Sequence, residues 1–223
     1  MKPMQCGQKG NESIMKVLLI NGSPREHGCT YTALKEAAEA LEAAGIETDW
    51  IQVGKDPIRG CIGCGGCAKS GKGECIFQDD PVNTTIRKAA EADGFIVGTP
   101  VHYASASGAI TSLMDRLCYA GGKNLAYKPA ACIASCRRGG ASAALDQLNK
   151  YFTILNMPIV SSNYWNMVHG NTPDEVRKDE EGMQTMRQLG RNMAWLLHTI
   201  EAGRAAGITP PKQEPKIKTN FIR

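Results

Sequence analysis

Four of the nine cysteines in this 223-residue chain lie within one short segment. They form a C-x2-C-x2-C-x7-C pattern made of Cys61, Cys64, Cys67 and Cys75. Four thiolates so close together, in a stretch (positions 60–73) that also holds six glycines, can surround a compact inorganic core, which favours a 4Fe–4S cluster. Zinc is the competing metal, although zinc ribbons bind it with well-separated cysteine pairs. A segment that holds no metal is the third interpretation.

The other cysteines are interpreted from their surroundings. An odd total leaves at least one thiol unpaired, and cytosolic thiols are kept reduced, so a disulfide framework is not expected. Cys6, Cys118 and Cys132 are interpreted as thiols of the tail or of the core. For Cys136, burial is the commoner outcome and reactivity is the alternative.

A second candidate site is the turn after the first strand-like run, which covers positions 15–21. Its sequence, NGSPREHGCT, leads from a strand into a helix, where backbone N–H groups and the helix dipole attract an anion. Ser23 and Thr30 supply hydroxyl groups, and Arg25 supplies positive charge. A single terminal phosphate fits better than a pyrophosphate, since this turn has no G-x-G-x-x-G fingerprint. The alternative is a turn capped by Thr30 that binds no ligand.

A third candidate site follows the third strand-like run, at positions 99–108 (TPVHYASASG). A flat heteroaromatic ring needs close approach of the backbone and N–H donors at its polar edge, and a run of Ala, Ser and Gly permits this approach. The alternative is a helix-capping loop in which Tyr103 is a half-buried core residue.

Short apolar runs alternate with helical patterns along the chain and must position these loops. Five strands are expected, with the sequences KVLLI, TDWIQV, GFIVG, AACIAS and PIVSS. Helices are predicted over 30–44, after Pro81, from a cap at Ser107, through positions 145–152, and as one last helix from a capping box at Thr172 to Ile200. This order indicates a doubly wound α/β sheet, which binds ligands at the carboxyl ends of its strands.

The expected organisation is one domain with two appendages. Residues 1–14 are predicted to be a flexible leader, and residues 15–203 form the domain, with a cysteine-cluster loop at 59–76. Residues 204–223 are predicted to be an extended arm, and its part from Pro210 to Arg223 is predicted to clasp a neighbouring subunit.

The strand that ends in NGSPR and the later segment GTPVHYASASGAITSLMDRL resemble the flavodoxin-like NAD(P)H-dependent FMN reductases, over residues 15–203. The compact cysteine motif after the second strand is similar to that of the iron–sulfur flavoproteins within this family. The resemblance implies a flavodoxin-like, three-layer α/β/α fold with strand order 2-1-3-4-5. It also implies FMN as the cofactor and NAD(P)H as an electron donor.

The resemblance further implies which residues surround FMN. Cys29 stands where the family commonly has Asn, and a thiol is a weaker donor to phosphate. An arginine after the fourth strand, Arg137 or Arg138, could neutralise a reduced flavin or meet a nicotinamide phosphate. No catalytic residue stands out, but His102 and Tyr103 are candidates. The implied set is Ser23, Arg25, Cys29 and Thr30 at the phosphate, Pro100, Val101, His102, Tyr103, Ser107 and Gly108 at the ring, and Ser135, Arg137, Gly139 and Gly140 as a third wall.

Composition excludes several classes of function. The net charge is +4, but positions 204–223 carry five basic residues and one acidic residue, so the body balances at zero. A nucleic-acid partner is therefore not expected. No apolar stretch approaches the roughly 20 residues that span a bilayer, and the start lacks a secretory signal pattern. We expect a soluble cytoplasmic protein without a membrane partner.

The expected function is that of an FMN-dependent oxidoreductase. Electrons would move from NAD(P)H or a ferredoxin-like donor to a small acceptor, through FMN and a cluster on the four cysteines. The resemblance implies a homodimer or homotetramer in which the cluster meets the flavin across a subunit interface. The alternatives are a cluster-free NAD(P)H:quinone or FMN reductase, and a non-catalytic module that binds flavin or metal.

Overall fold

A mostly parallel sheet forms the centre of the molecule. The computed structural model describes residues 14–215, 217 and 219. The strands are β1 (Lys16–Asn21), β2 (Glu47–Gln52), β3 (Gly94–His102), β4 (Ser105–Ala106), β5 (Ala130–Cys136) and β6 (Met167–His169). The sheet order is β2-β1-β3-β5-β6, with every neighbouring pair parallel, and β4 adds a short antiparallel pair to β3. When the five parallel strands are numbered without β4, their order is 2-1-3-4-5, so the expected doubly wound sheet is confirmed.

The fifth parallel strand lies later in the chain than the sequence predicts. The predicted run, positions 158–162, makes only an isolated parallel bridge, between Ile159 and Ala130. Residues Met167–His169 instead pair with positions 134–136 at the carboxyl end of β5. The apolar run PIV is too short to occupy the whole edge: Val160 is buried, but Ile159 is exposed.

Seven helices occur in the described part of the chain, together with a 3-10 turn at Gly122–Asn124. The last predicted helix is two helices, because Asp179 leaves the helical conformation (φ −77°, ψ 79°) and its carboxylate caps the second one through Gly182 N. The cysteine-cluster loop at 59–76, called the cysteine segment below, contains a short helix that was not predicted. The helices are α1 (Cys29–Glu42), α2 (Gly66–Ser70), α3 (Val82–Glu91), α4 (Gly108–Gly121), α5 (Ala141–Ile154), α6 (Pro173–Lys178) and α7 (Glu180–Ala205).

Helices cover both faces of the sheet, which gives the expected three layers. Side chains of β1 alternate between two hydrophobic clusters: Leu18 and Ile20 join α3, α4 and α5, whereas Val17 and Leu19 join α1 and α7. All four are fully buried, as expected for a strand covered on both faces. Helices α1 and α7 approach closely at Gly190, where an added Cβ would lie 2.4 Å from the Ala37 carbonyl oxygen.

The two predicted appendages flank this domain. The leader at 1–14 lies outside the described residues, apart from its last position. Helix α7 ends at Ala205, and the described residues after Gly207 have no regular secondary structure. The Tyr127 hydroxyl donates a hydrogen bond to the Pro211 carbonyl (3.4 Å). Across the described positions, every helix is too short or too polar to cross a bilayer.

Candidate functional site

The loop between β1 and α1 presents a helix N-terminus at the carboxyl edge of the sheet. Helix α1 begins at Cys29, and its N-cap residue is Gly28, which has no side chain to accept the first N–H groups. The first turn, positions 29–32, contains no acidic residue. The N–H groups and the dipole of α1 therefore favour an anion at this end.

Two amide side chains fix the shape of this loop. The Asn21 amide nitrogen donates to the Glu26 carbonyl (3.1 Å) and to the Gln52 side-chain oxygen (2.6 Å). The Gln52 amide nitrogen donates to the Ser23 carbonyl (2.6 Å), and Asn21 Oδ1 accepts from the Ser23 N–H (3.2 Å). Sequence reasoning missed this clamp, because the pairing of Asn21 with Gln52 depends on the register of β1 and β2.

The residues predicted for the phosphate occupy different environments. Thr30 is buried, and its Oγ1 lies 2.7 Å from Ser135 Oγ, so it joins the loop to the end of β5. Ser23 Oγ accepts from the Arg25 N–H (3.1 Å), which leaves its own hydrogen able to donate. Arg25 is exposed. Burial raises the pKa of the half-buried Cys29 thiol, so the thiol is neutral at pH 7.

The loop after β3 is a tight hairpin with unusual backbone angles. Val101 and His102 pair antiparallel with Ala106 and Ser105, and the two residues between them have positive φ, 52° for Tyr103 and 56° for Ala104. Such angles are strained for residues other than glycine and concentrate at functional sites. Tyr103 is fully exposed.

Gln147 of α5 holds this hairpin from behind. Its Oε1 atom accepts hydrogen bonds from the Ser105 hydroxyl (2.7 Å) and the Ala106 N–H (3.0 Å). Gly140, at φ 90°, lies against the same hairpin, since an added Cβ would be 2.7 Å from the Ala104 Cα atom. The loop after β5 and the loop after β3 are therefore in contact.

Ser107 connects the hairpin to the loop after β1. It caps α4, as predicted, by accepting from the Ile110 N–H (3.4 Å). Its hydroxyl also donates to the Gly22 carbonyl (3.0 Å), and its N–H donates to Thr99 Oγ1 (3.0 Å). Together with the Thr30–Ser135 contact, these bonds bring all three predicted loops to one edge of the sheet.

The remaining predicted residues complete this edge. Pro100 and Val101 are half-buried, whereas His102, Gly108, Arg137 and Gly139 are exposed. Arg138 beside them is also exposed. Cys136 is buried, and burial raises the pKa of its thiol, which disfavours the reactive thiolate. The edge thus offers exposed positive charge beside a compact, strained loop.

The four clustered cysteines line one cavity of about 650 Å³ next to α4. Cys61 and Cys64 are exposed, and Cys67 and Cys75 are half-buried. Over positions 14–215, 217 and 219, no three His, Cys, Asp or Glu side chains lie close enough together to hold a metal ion. The thiols therefore share a cavity without converging on one point.

Buried polar residues fix one side of this cavity. The Asn83 side chain accepts from the Cys75 N–H (2.8 Å) and donates to the carbonyl oxygens of Cys75 and Phe77 (2.9 Å each). Arg116 of α4 is 1% exposed and pairs with Asp80, whose side chain is 4% exposed. Burial alone would lower the pKa of Arg116, but the hydrogen bonds to Asp80 and Cys75 outweigh burial and raise it.

Comparison with known proteins decides the family. Residues 15–172 match the family model described as NADPH-dependent FMN reductase. The chain belongs to this family. It is 34% identical to an iron–sulfur flavoprotein of Methanocaldococcus jannaschii over 195 residues, which cover 84% of this chain and 100% of that protein.

Solved structures support the same fold. A WrbA-like flavodoxin of Agrobacterium tumefaciens superposes with a TM-score of 0.59 at 15% identity, over 84% of this chain and 99% of that one. A flavodoxin from the domain Archaea gives a TM-score of 0.56 at 13% identity, over 82% of this chain and 99% of that one. The chain therefore has a flavodoxin-like fold, and its family membership makes it a flavin-dependent oxidoreductase that uses FMN.

The edge described above fits the cofactor of the family. The N-terminus of α1 suits a phosphate, and the clamped hairpin offers backbone close to a flat ring. Sequence reasoning identified these loops, together with Thr30, Ser107 and Ser135, but missed the other side chains that support them. Asn21 and Thr99 stand at or near strand ends, a signal that could have drawn attention to them, whereas the clamps by Gln52, Asn83, Arg116 and Gln147 depend on tertiary contacts.

Proposed function

We propose that the three loops hold FMN with its phosphate at the N-terminus of α1 and its ring against the hairpin of Tyr103 and Ala104. The observation that carries this proposal is the connection of the loops by the Ser107–Gly22 and Thr30–Ser135 hydrogen bonds. Because these bonds exist in the folded chain, the site needs little reorganisation to accept its ligand. Exposed Arg25 would add positive charge at the phosphate.

The bound FMN would supply hydride and electron transfer between NAD(P)H and a small acceptor. The chain's own residues would orient it. The backbone from Pro100 to Tyr103, with Ser107 and Gly108, would approach the ring edge, and exposed Arg137 and Arg138 could meet a nicotinamide phosphate. His102 and Tyr103 are exposed beside the ring position, where they could contact the substrates.

We further propose that Cys61, Cys64, Cys67 and Cys75 bind a 4Fe–4S cluster. The support is their common cavity, their spacing, and the similarity to relatives named iron–sulfur flavoproteins. Thiolate sites commonly form together with their metal, so thiols that do not yet converge are compatible with a cluster. The cluster would exchange single electrons with the flavin, which admits a ferredoxin-like protein as donor.

A second candidate is a cluster-free NAD(P)H:quinone or FMN reductase. The separation of the four thiols favours it, since no group of three is assembled among the residues that the structure describes. In that case the flavin site alone would carry the activity, and the cysteine segment would be a surface loop.

A homodimer or homotetramer is part of the proposal. Large apolar side chains are exposed at the hairpin, on the cysteine segment and on α4, where a second subunit could cover them: Tyr103, Ile62 and Tyr119.

Helix α4 carries Gly108 at the flavin edge and Arg116 at the cavity, eight residues apart, so about 12 Å of helix separates the two positions.

One preparation tests both proposals. Protein purified anaerobically should show flavin bands with added broad absorbance, and assays should find about four irons and four sulfides per chain. Cys64→Ser should lose iron and keep flavin. Cys118→Ser is the matched control, because Cys118 lies on α4 and is not among the residues that line the cavity of the four clustered cysteines.

The outcomes separate the candidates. Flavin bands without iron, after anaerobic reconstitution has also failed, would contradict the cluster. NAD(P)H oxidation at an unchanged rate in Cys64→Ser would favour the cluster-free reductase. A chain that binds no FMN would contradict the proposed flavin site itself.

A further inference from the structure

A buried arginine contacts one of the four clustered cysteines directly. The Arg116 Nε–H donates to Cys75 Sγ, with 3.2 Å between nitrogen and sulfur. Arg116 belongs to the apolar side of α4, between buried Leu113 and Leu117, and only 1% of its surface is exposed. A buried charge is costly unless it is paired, so this side chain needs a specific set of partners.

The partners of Arg116 come from both ends of the cysteine segment. Its terminal nitrogens donate to the Arg59 carbonyl (3.1 Å), before Cys61, and to the Phe77 carbonyl (3.3 Å), after Cys75. The charge is balanced by Asp80, which follows the segment and whose carboxylate also accepts from the N–H of Val82, the first residue of α3 (3.1 Å). One guanidinium thus fixes where the segment enters and leaves the cavity.

The contact to sulfur goes beyond what anchoring requires. Three of the four bonds hold carbonyl and carboxylate oxygens, and these alone would fix the segment. The fourth places a permanently charged N–H donor on a thiol that the proposed function makes a cluster ligand. Hydrogen bonds to ligand sulfurs and local charge are among the factors that set the reduction potential of iron–sulfur clusters.

We infer that Arg116 is a positioning residue that holds the Cys75 sulfur by a charged hydrogen bond and raises the reduction potential of the cluster. This inference rests on the proposed function, because it requires that Cys75 be a ligand. The direction follows from electrostatics: a reduced cluster carries one more negative charge, and the Nε–H that donates to the Cys75 sulfur stabilises it, whereas Asp80 pairs with another nitrogen of the guanidinium. Removing the donor therefore lowers the potential.

Two variants remove the donor without leaving a lone buried charge. Arg116→Lys keeps the positive charge beside Asp80 but has no Nε–H for the Cys75 sulfur. The double variant Asp80→Asn with Arg116→Gln removes both charges and retains polar groups that can hydrogen-bond each other. The matched control is Arg87→Gln, since exposed Arg87 pairs with Glu74, next to Cys75, without touching sulfur.

The test is a redox titration of the anaerobic holoprotein, followed by electron paramagnetic resonance, with iron and FMN assayed on the same samples. We expect both Arg116 variants to keep FMN and to titrate at lower potential. In the double variant, the ratio of reduced to oxidised cluster at a fixed solution potential should fall by about tenfold. This change corresponds to a decrease of about 59 mV in the midpoint potential of a one-electron couple. Arg87→Gln should match the wild type.

Three other outcomes of these measurements would overturn the inference. Loss of iron from both variants, with FMN retained, would overturn the assignment of the potential and leave Arg116 as an anchor of the segment, because both variants also lose the bonds to the Arg59 and Phe77 carbonyls. Four irons and a wild-type potential in both variants would overturn it and leave Arg116 as an anchor only. A wild-type protein that takes up no iron would instead overturn the proposed cluster and, with it, this inference.

Discussion

A single amide side chain supports the most strained backbone of the flavin edge. Tyr103 and Ala104 have φ of 52° and 56°, which costs each residue roughly 1–2 kcal/mol. Gln147 offsets part of this cost with two hydrogen bonds to the residues that follow, Ser105 and Ala106. The strain is therefore maintained by a contact from α5, and its position beside the proposed ring suggests that it pre-forms the site.

Replacing this side chain should weaken flavin binding. Gln147→Ala removes both acceptor contacts, each worth about 1 kcal/mol, so the Kd for FMN should rise by as much as about 30-fold. Gln147→Glu is the matched control, because a carboxylate oxygen can still accept from both donors and should keep affinity near that of the wild type. The measurement is a titration of flavin-stripped protein by the quenching of FMN fluorescence. An unchanged Kd for Gln147→Ala would show that the hairpin is held by other contacts.

Strand β5 and helix α5 meet through a buried thiol. The Cys132 S–H donates to Asn149 Oδ1, with 3.1 Å between sulfur and oxygen. Only 1% of the surface of Cys132 is exposed. Burial raises the pKa of this thiol to about 12, from the 9.0 of an exposed thiol. The folded chain therefore holds the proton more tightly than the unfolded chain.

This difference predicts a loss of stability at alkaline pH. Between pH 9 and 12 the unfolded chain releases the Cys132 proton while the folded chain keeps it. The contribution of this thiol is complete below pH 9 and declines above it by at most about 1.4 kcal/mol per pH unit. Urea unfolding of the wild type and of Cys132→Ala across this range is the measurement. Parallel curves for the two proteins would contradict the prediction.

The boundaries of the helices and strands show which local sequence signals are sufficient to predict an element. The Ser107 cap and the apolar face of α4 are local, and the helix forms where predicted. The last helix breaks at Asp179, because its carboxylate accepts from the His169 N–H of β6 (2.6 Å) as well as from Gly182 N. A periodic sequence pattern contains no sign of that contact. The displaced fifth strand has a similar origin, since pairing with β5 decides which segment takes the edge.

At the scale of the molecule, sequence reasoning located the candidate loops but not the network that supports them. The cysteine spacing and the NGSPR turn lie within single segments, so composition and order were enough to identify them. Arg116 and Cys75 are 41 positions apart, and Asn21 and Gln52 are 31 apart. Those pairs depend on packing that only the folded chain shows. The sequence also could not show that the four thiols would share a cavity without converging.

The two proposed cofactors should differ in how much they stabilise the fold. The cysteine segment lies mostly outside both hydrophobic clusters, and of its residues only Cys75 packs against one of them. The flavin edge is built from the ends of β1, β3 and β5 at the centre of the sheet. FMN binding should therefore stabilise the whole domain, whereas iron binding should order mainly its own segment.

Thermal unfolding of selectively stripped protein tests this difference. Flavin-stripped protein should gain about 2.7 kcal/mol when FMN reaches 100 times its Kd, which raises Tm by roughly 5–10 °C for a chain of this size. Anaerobic removal of iron with a chelator should leave FMN bound and shift Tm by less than that, because the sheet and both clusters remain intact. Release of FMN together with iron would contradict this division and would indicate that the cysteine segment supports the flavin edge through α4.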